Sequence, residues 1–306
     1  MTSARNRSSP RQTAGSGHST EERLKAISLM CLAVTLFSAL DAAAKYLVSA
    51  AGMPVMQVVW IRFLFHALFT IAVLGPLALP RIMRTTRPGM QLLRSAFLLG
   101  ATACNFTAVK YLQLDQTVTI FFLTPLVVAG LAGPLLGEWI GWRRMLAILT
   151  GFLGVILVMR PGFGGIHWAI IFSFGATLTY SLYNIATRYL ASHDSHEILQ
   201  FYTPLVGLIC LLPFAFTGWV WPADAVSWAF LISLGLTGGL GHWLLIIAHR
   251  HAPAPVLAPF VYVGLISMII LGYVIFGDIP TWWTLAGGAV VIGSGLYLYY
   301  RERQSG

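Results

Sequence analysis

The chain reads as an all-α integral membrane protein of ten transmembrane helices, built from two inverted five-helix repeats. Three observations carry that expectation: a composition too apolar for a soluble domain, a stretch that the sequence contains twice, and basic residues concentrated on one side of the expected spans.

Of the 306 residues, 57% are hydrophobic and only 9% charged, against roughly 25% charged in an ordinary soluble domain. A soluble fold of this length has no interior large enough for so much apolar surface. Apolar runs of about 20 residues, each able to cross a hydrocarbon core ~30 Å thick, recur along most of the chain. Lipid offers the backbone no hydrogen bonds, so the spans are helical. Runs such as IIFSFGATLTY and LISMIILGYVIF lack the alternation of a membrane β-barrel. The net charge of +9 does not point to nucleic acid, because the charges sit at helix ends as topology signals. Cys31, Cys104 and Cys210 are isolated within apolar runs and give neither a disulfide framework nor metal-ligand spacing. Around Cys31, Met30 stands where a lipoprotein signal needs a small residue, and no cleavage site follows. That run reads as a first membrane helix rather than a removed signal peptide.

The stretch SALDAAAKYLVSAAGMPVMQ, beginning at Ser38, recurs as SLYNIATRYLASHDSHEILQ, beginning at Ser181. Ser38, Ala43, Tyr46, Leu47, Ser49 and Gln57 return without a gap as Ser181, Ala186, Tyr189, Leu190, Ser192 and Gln200. Asp41 becomes Asn184 and Lys45 becomes Arg188, so the inner polar positions persist with one charge lost. A second match aligns Gly137, Glu138 and Trp142 with Gly277, Asp278 and Trp282. Such a duplication fixes the architecture before any residue receives a role.

In chain order, residues 1–23 form an expected disordered basic cytoplasmic tail, rich in Ser, Thr, Arg and Gly without an apolar period. The first repeat is placed at 24–160, with helices near 24–48, 54–75, 90–110, 115–136 and 143–160. The second is placed at 166–301, with helices near 166–189, 197–217, 225–248, 254–276 and 281–300. Five spans per repeat is odd, so the second copy runs through the membrane in the opposite sense. Placing the N-terminus in the cytoplasm puts Arg81, Arg84, Arg87, Arg94, Arg143, Arg144, Arg188 and Arg250 on that side, together with the terminal basic residues. Only Lys45, Lys110 and Arg160 fall on the other, with Arg62 inside a span, so both termini are expected in the cytoplasm. Arg143 and Arg144 are replaced in the outward-facing copy by Trp283 and Thr284. Inverted repeats that rock about a midplane site are a recurrent design of secondary transporters.

The duplicated halves, the TPL of Thr124 to Leu126, the Gly-acid turns at Glu138 and Asp278, and the glycine-bearing fifth and tenth helices resemble the EamA-type members of the drug/metabolite transporter superfamily. The resemblance covers nearly everything from Lys25 to Arg301. It implies a ten-helix bundle in which the first four helices of each half enclose a substrate path, in a bacterial inner membrane. The opening DAAAKYL followed by PVMQVVWIRFLFH looks most like the branch that takes up riboflavin and S-adenosylmethionine. That implies uptake of a vitamin or cofactor-like compound, with export of amino acids or other metabolites as the alternative. Leu265 stands where the second copy would repeat Pro125, while Pro253, Pro255 and Pro259 lie earlier. The fourth and ninth helices are therefore expected to differ.

Charges inside lipid face the bundle interior and mark pathways or structural pairs. Asp41 lies about 10 Å from the outer end of the first helix and Arg62 about 12 Å from that end of the second, at 1.5 Å rise per residue. A contact between them is expected. Either Arg62 anchors an anionic or carbonyl group of the substrate, with Asp41 as a proton site, or the two form a structural ion pair. Lys45, one turn beyond Asp41, competes for the same carboxylate or snorkels to the interface. His66, one turn from Arg62, is a packing residue or a proton carrier. Asn105, Tyr180, Tyr183, Asn184, His242 and Trp243 are further amphipathic groups within spans, each explicable as an interhelical hydrogen bond. With Phe121, Phe122 and Tyr262 they would furnish an aromatic pocket with a few polar anchors, as a planar heterocycle requires. The candidate substrate-binding set is thus Asp41, Arg62, His66, Asn105, Phe122, Tyr180, Asn184, Trp243 and Tyr262. Pro125, Pro134 and Pro259 offer hinge points, while Gly151 with Gly154, and Gly235 with Gly239, allow close helix approach. Glu138 and Asp278 are expected to cap helices or pair with nearby basic residues.

No HExxH, GxSxG or Cys/His metal spacing supports an intramembrane enzyme. Leu271, Gly272 and Tyr273 fall short of a potassium filter, which needs the full TVGYG loop in several copies. Without a P-loop, any energy comes from a gradient. The expected partners are a small-molecule substrate, the lipid bilayer and coupled protons. No cofactor, metal or nucleic acid is expected, and the protein is read as a monomer or homodimer.

Overall fold

Apolar runs leave the backbone only intrahelical partners for its polar groups, and the computed structural model is helical accordingly. It describes residues 20–136, 142–159, 167–191, 193–251 and 257–305, and no strand occurs among them. Most of the expected basic tail, the turn at Glu138, Arg160, Pro253 and Pro255 lie outside the described residues.

Helix α1 (Thr20–Lys45) continues into a π-helical turn, Tyr46–Ala50, and α2 (Val55–Leu74) starts after Pro54. A short α3 (Leu79–Ile82) precedes α4 (Pro88–Tyr111), whose first residue is a proline that needs no N–H there. The helix expected over 115–136 is two helices, α5 (Leu114–Phe121) and α6 (Thr124–Leu136). Pro125 has no N–H for the Phe121 carbonyl, and the Thr124 hydroxyl takes that carbonyl at 2.6 Å. Helices α7 (Trp142–Met159) and α8 (Ile170–Ala191) follow. The helix expected over 197–217 is broken into α9 (His196–Tyr202), α10 (Leu205–Cys210) and α11 (Leu212–Ala215), with Pro204 and Pro213 at the breaks. Asp224 caps α12 (Ala225–His251) by accepting the Ser227 N–H at 2.7 Å. A 3-10 turn, Ala258–Tyr262, leads into α13 (Val263–Phe276), so this helix begins differently from the α5–α6 pair, in keeping with Leu265 standing where Pro125 would recur. The α13 C-terminus is closed by left-handed Gly277 (φ 69°), with the Asp278 N–H on the Gly272 carbonyl at 3.1 Å. Helix α14 (Trp282–Ser305) ends the described chain.

Among the described residues, four helical segments are long and apolar enough to cross a membrane: Leu24–Ala50, Val55–Leu74, Pro88–Tyr111 and Ala225–Leu245. Shorter apolar segments are Leu114–Val128, Met145–Val158 and Phe260–Phe276.

The two halves exchange partners. Helix α1 packs on α12 and α13, α8 packs on α4 and α6, and α7 packs on α14. The Ser38 hydroxyl reaches the Gly264 carbonyl at 3.3 Å, and its sequence counterpart Ser181 reaches the Thr124 carbonyl at 3.4 Å. One interhelical contact is thus made twice, at duplicated positions. Close approach comes from glycine: a Cβ on Gly154 would lie 2.8 Å from the Gly287 carbonyl oxygen, and one on Gly239 would lie 2.5 Å from Phe69. Lys45 neither reaches Asp41 nor snorkels free; it pairs with Asp278 at 2.6 Å. Arg94, expected as a topology charge, is instead fully buried. It donates to Tyr183, to the Leu199 carbonyl and to the Thr203 hydroxyl.

Candidate functional site: a charged cavity between the halves

Helices α1, α2, α4, α5, α8 and α12 converge on a cavity of about 120 Å³. Its polar wall is Asp41, Arg62, Thr102 and Asn105, and its aromatic wall includes Phe37, Phe106, Phe121, Tyr180 and His242. The apolar helices that bring these groups together also exclude water, which leaves each charge dependent on protein neighbours.

Those neighbours come mainly from α4. Asn105 donates its amide to Asp41 Oδ1 at 2.9 Å. Arg62 donates from Nη1 to the Thr102 hydroxyl, and its guanidinium lies over Phe63 and Phe106, 5.1 and 5.8 Å from their centroids. Arg62 is only 6% exposed, and its Nε has no partner. Asp41 and Arg62 line one space, but they form no ion pair within 4.0 Å. The expected direct contact is absent because α4 offers each charge its own polar partner.

Of the expected site residues, Asp41, Arg62, Asn105 and Tyr180 are on the cavity wall. Tyr180 packs at a tilt against Phe121 and stacks on Tyr183, with centroids 4.8 and 5.6 Å away. His66 is fully buried behind the wall, stacked on His242 at 5.8 Å, with its Nε2 2.9 Å from the Gln200 amide nitrogen. Phe122 points away from the cavity and meets Tyr262 edge-on at 5.1 Å. Asn184 turns its amide onto the Tyr180 carbonyl of its own helix at 2.8 Å. Neither that residue nor Trp243 lines the cavity. Phe37, Thr102 and Phe106 were not singled out in the sequence. Helical periodicity holds the missing signal: Phe37 lies one turn before Asp41, Thr102 lies one turn before Asn105, and Phe106 lies one turn beyond Thr102.

The profile of the EamA-like transporter family matches residues 24–160 and again 167–301. An S-adenosylmethionine uptake transporter of Rickettsia conorii is 27% identical, over 92% of this chain and 95% of its own. A riboflavin transporter of Vibrio cholerae is 25% identical, over 86% and 89%. A pseudopaline exporter of Pseudomonas aeruginosa is 25% identical, over 87% and 93%. One solved crystal structure superposes with a TM-score of 0.61 over 93% of this chain and 98% of that one; at 18% identity it speaks to fold alone. With the family profile on each half and apolar helices long enough to cross a bilayer, the chain belongs to the EamA-like transporter family and is a multi-pass membrane transporter.

Proposed function

We propose that the chain takes up a small polar or aromatic metabolite across a bacterial inner membrane by alternating access, with the Asp41–Arg62 cavity as the substrate site. The observation that carries this reading is the cavity itself, because helices of both halves meet there around opposite charges. Ten spans accommodate the chain: α1, α2, α4, α5 with α6, and α7 in a first repeat over 24–160, then α8, α9 to α11, α12, α13 and α14 in a second over 166–301. Inversion of the second repeat is supported by the exchanged packing of α1 on α12 and α8 on α4; an even number of spans leaves both termini on one side, and the bias of the basic residues favours the cytoplasm. A site at the interface of two such repeats becomes accessible from each side as they rock. The wall residues Asp41, Arg62, Asn105 and Tyr180 hold the substrate; His66, stacked on His242, and Asn184, bonded to the Tyr180 carbonyl, support the wall from behind. Carriage is facilitative or coupled to protons.

The relatives named for S-adenosylmethionine and riboflavin favour a vitamin or cofactor-like compound taken inward. Export is the second reading, favoured by the pseudopaline exporter. The test is flux in proteoliposomes containing the purified chain, with labelled S-adenosylmethionine and riboflavin offered separately, with and without an imposed proton gradient. Saturable uptake above protein-free vesicles, lost in Asp41→Asn, supports the reading. Flux equal to that of empty vesicles for both compounds, in both directions, removes it.

A further inference from the structure

We propose that the connection between α2 and α4, residues 75–87, is a docking site for an anionic phospholipid, with Arg84 and Arg87 on the headgroup phosphate and Leu77 among the acyl chains.

Helices α2 and α4 are two of the segments long and apolar enough to cross a bilayer, so the stretch that joins them lies at one membrane face. Gly75, at φ 81°, ends α2 and redirects the chain. Pro76 and Pro80 then stiffen a 3-10 turn, Pro76–Ala78, and the short α3.

The side chains of this connection divide into two sets. One set grips the second half of the chain. The Thr85 hydroxyl donates to Asp194 at 2.5 Å, Arg81 pairs with Glu197 at 2.8 Å, and the Met83 carbonyl accepts the Tyr202 hydroxyl at 2.8 Å. These bonds hold the connection in one conformation, so whatever it presents outward is already in place. The other set is left over. Leu77 is 96% exposed and Met83 57%, apolar surface beside two membrane helices that lipid covers better than water. Among the described residues, neither Arg84 nor Arg87 forms an ion pair within 4.0 Å. Arg87 lies 5.3 Å from the Tyr189 ring centroid, which orients its guanidinium and leaves the charge unbalanced. No Asp or Glu occurs between residues 75 and 91, and the two acids that meet the connection, Asp194 and Glu197, are engaged by Thr85 and Arg81.

The partner follows from that remainder. Two guanidinium groups three residues apart match the oxygens of a phosphate. The apolar surface next to them requires that the phosphate carry hydrocarbon. A zwitterionic phospholipid brings an ammonium that the arginines repel, and a second copy of the chain brings the same arginines. A free phosphate leaves Leu77 bare. A topology signal alone needs the charges but neither the rigid connection nor the exposed leucine. Because the same connection grips the α8–α9 turn, a bound lipid also steadies the contact between the halves.

The test is the melting temperature of the full chain in neutral detergent, titrated with phosphatidylglycerol, phosphatidylcholine or glycerol 3-phosphate. Phosphatidylglycerol is expected to stabilise saturably, as a ligand of the folded state does, and the other two far less. A basic residue near an anionic surface strengthens binding about fivefold. Arg84→Gln and Arg87→Gln should therefore each weaken the response about fivefold and together about twenty-five-fold, and added salt should weaken it further. Both arginines are exposed, so the variants are expected to fold. Leu77→Ser should weaken phosphatidylglycerol about tenfold, the worth of a buried leucine. Lys110→Gln removes the same charge at the other end of α4 and should change nothing. Equal stabilisation by phosphatidylcholine or by glycerol 3-phosphate, a double variant as responsive as the wild type, or an equal loss in Lys110→Gln overturns the inference. So does a melting temperature that rises with protein concentration in the absence of lipid, which would place a second copy on this face.

Discussion

Lys45, at the end of α1, donates to Asp278, just beyond α13, at 2.6 Å, and so ties the first half of the chain to the second. The side chains are 10% and 21% exposed, and the ammonium also lies 4.6 Å from the Phe276 ring centroid. Lys45→Met leaves a part-buried carboxylate without its cation. The expected loss is about 1–3 kcal/mol, between the values for exposed and fully buried pairs. A double-mutant cycle with Asp278→Asn, read by thermal unfolding in detergent, should recover part of that loss. Strict additivity would mean the pair contributes nothing.

The α7–α14 crossing depends on two glycines. A Cβ on Gly154 would meet the Gly287 carbonyl oxygen at 2.8 Å and Val290 at 3.0 Å. Backbone cannot yield as a flexible side chain does, so Gly154→Ala is expected to cost about 1–3 kcal/mol. Gly293, on the same α14, has nothing within 4 Å of its would-be Cβ. Gly293→Ala should therefore be neutral or stabilising by about 0.5–1 kcal/mol through helix propensity. If the two substitutions shift the melting temperature equally, the crossing does not depend on glycine.

Asp194, in the turn between α8 and α9, accepts the Thr85 hydroxyl at 2.5 Å and the Gln91 amide at 2.8 Å. Burial alone would raise its pKa, but these donors, the Thr86 N–H and nearby His193 outweigh that and hold the carboxyl below its usual range. A depressed folded-state pKa gives stability that is present above the unfolded value, about 3.9, and is lost as pH falls through the folded one. The melting temperatures of wild type and Asp194→Asn should hence differ most at pH 6 and converge below about pH 4. A constant difference across that range would exclude the carboxylate as its source.

Much of this architecture was legible because duplication and charge survive as local patterns. The Ser38 and Ser181 copies point to two related halves, and Asp41 and Arg62 stand out because ions in apolar runs need an interior. What escaped depends on angles that a pattern cannot encode. Phe121 and Phe122 are adjacent and both apolar, yet only Phe121 meets the cavity. The break after α5 decides which one, and it lies where Pro125 interrupts the backbone, a change of direction that the helical period does not carry. Thr102 escaped for another reason: a threonine in a membrane helix usually bonds its own backbone, and only its neighbour Arg62 makes this one part of the wall. The Asp278 partner of Lys45 is remote in sequence and follows from how the halves dock.

Ser95 offers the sharpest test of how the chain tolerates a broken helix. Between α9 and α10, Pro204 interrupts the backbone ladder and leaves main-chain groups without helical partners. The Ser95 hydroxyl, from α4, donates to the Thr203 carbonyl at 2.9 Å and accepts the Val206 N–H at 3.1 Å, bridging the break. Both partners are backbone groups that cannot turn to solvent, because Ser95 and Thr203 are buried. Ser95→Ala removes one donor and one acceptor together, and the expected loss is about 1–3 kcal/mol. Ser28, whose exposed hydroxyl bonds only the Leu24 carbonyl of its own helix at 3.0 Å, is the control, with a change for Ser28→Ala within about 0.5 kcal/mol. Thermal unfolding in detergent compares the two. Equal shifts would mean that the break is held by Pro204 and Arg94 without the serine, whereas a selective loss at Ser95 makes α4 the support of the α9–α10 break as well as the helix that holds Asp41 and Arg62 apart.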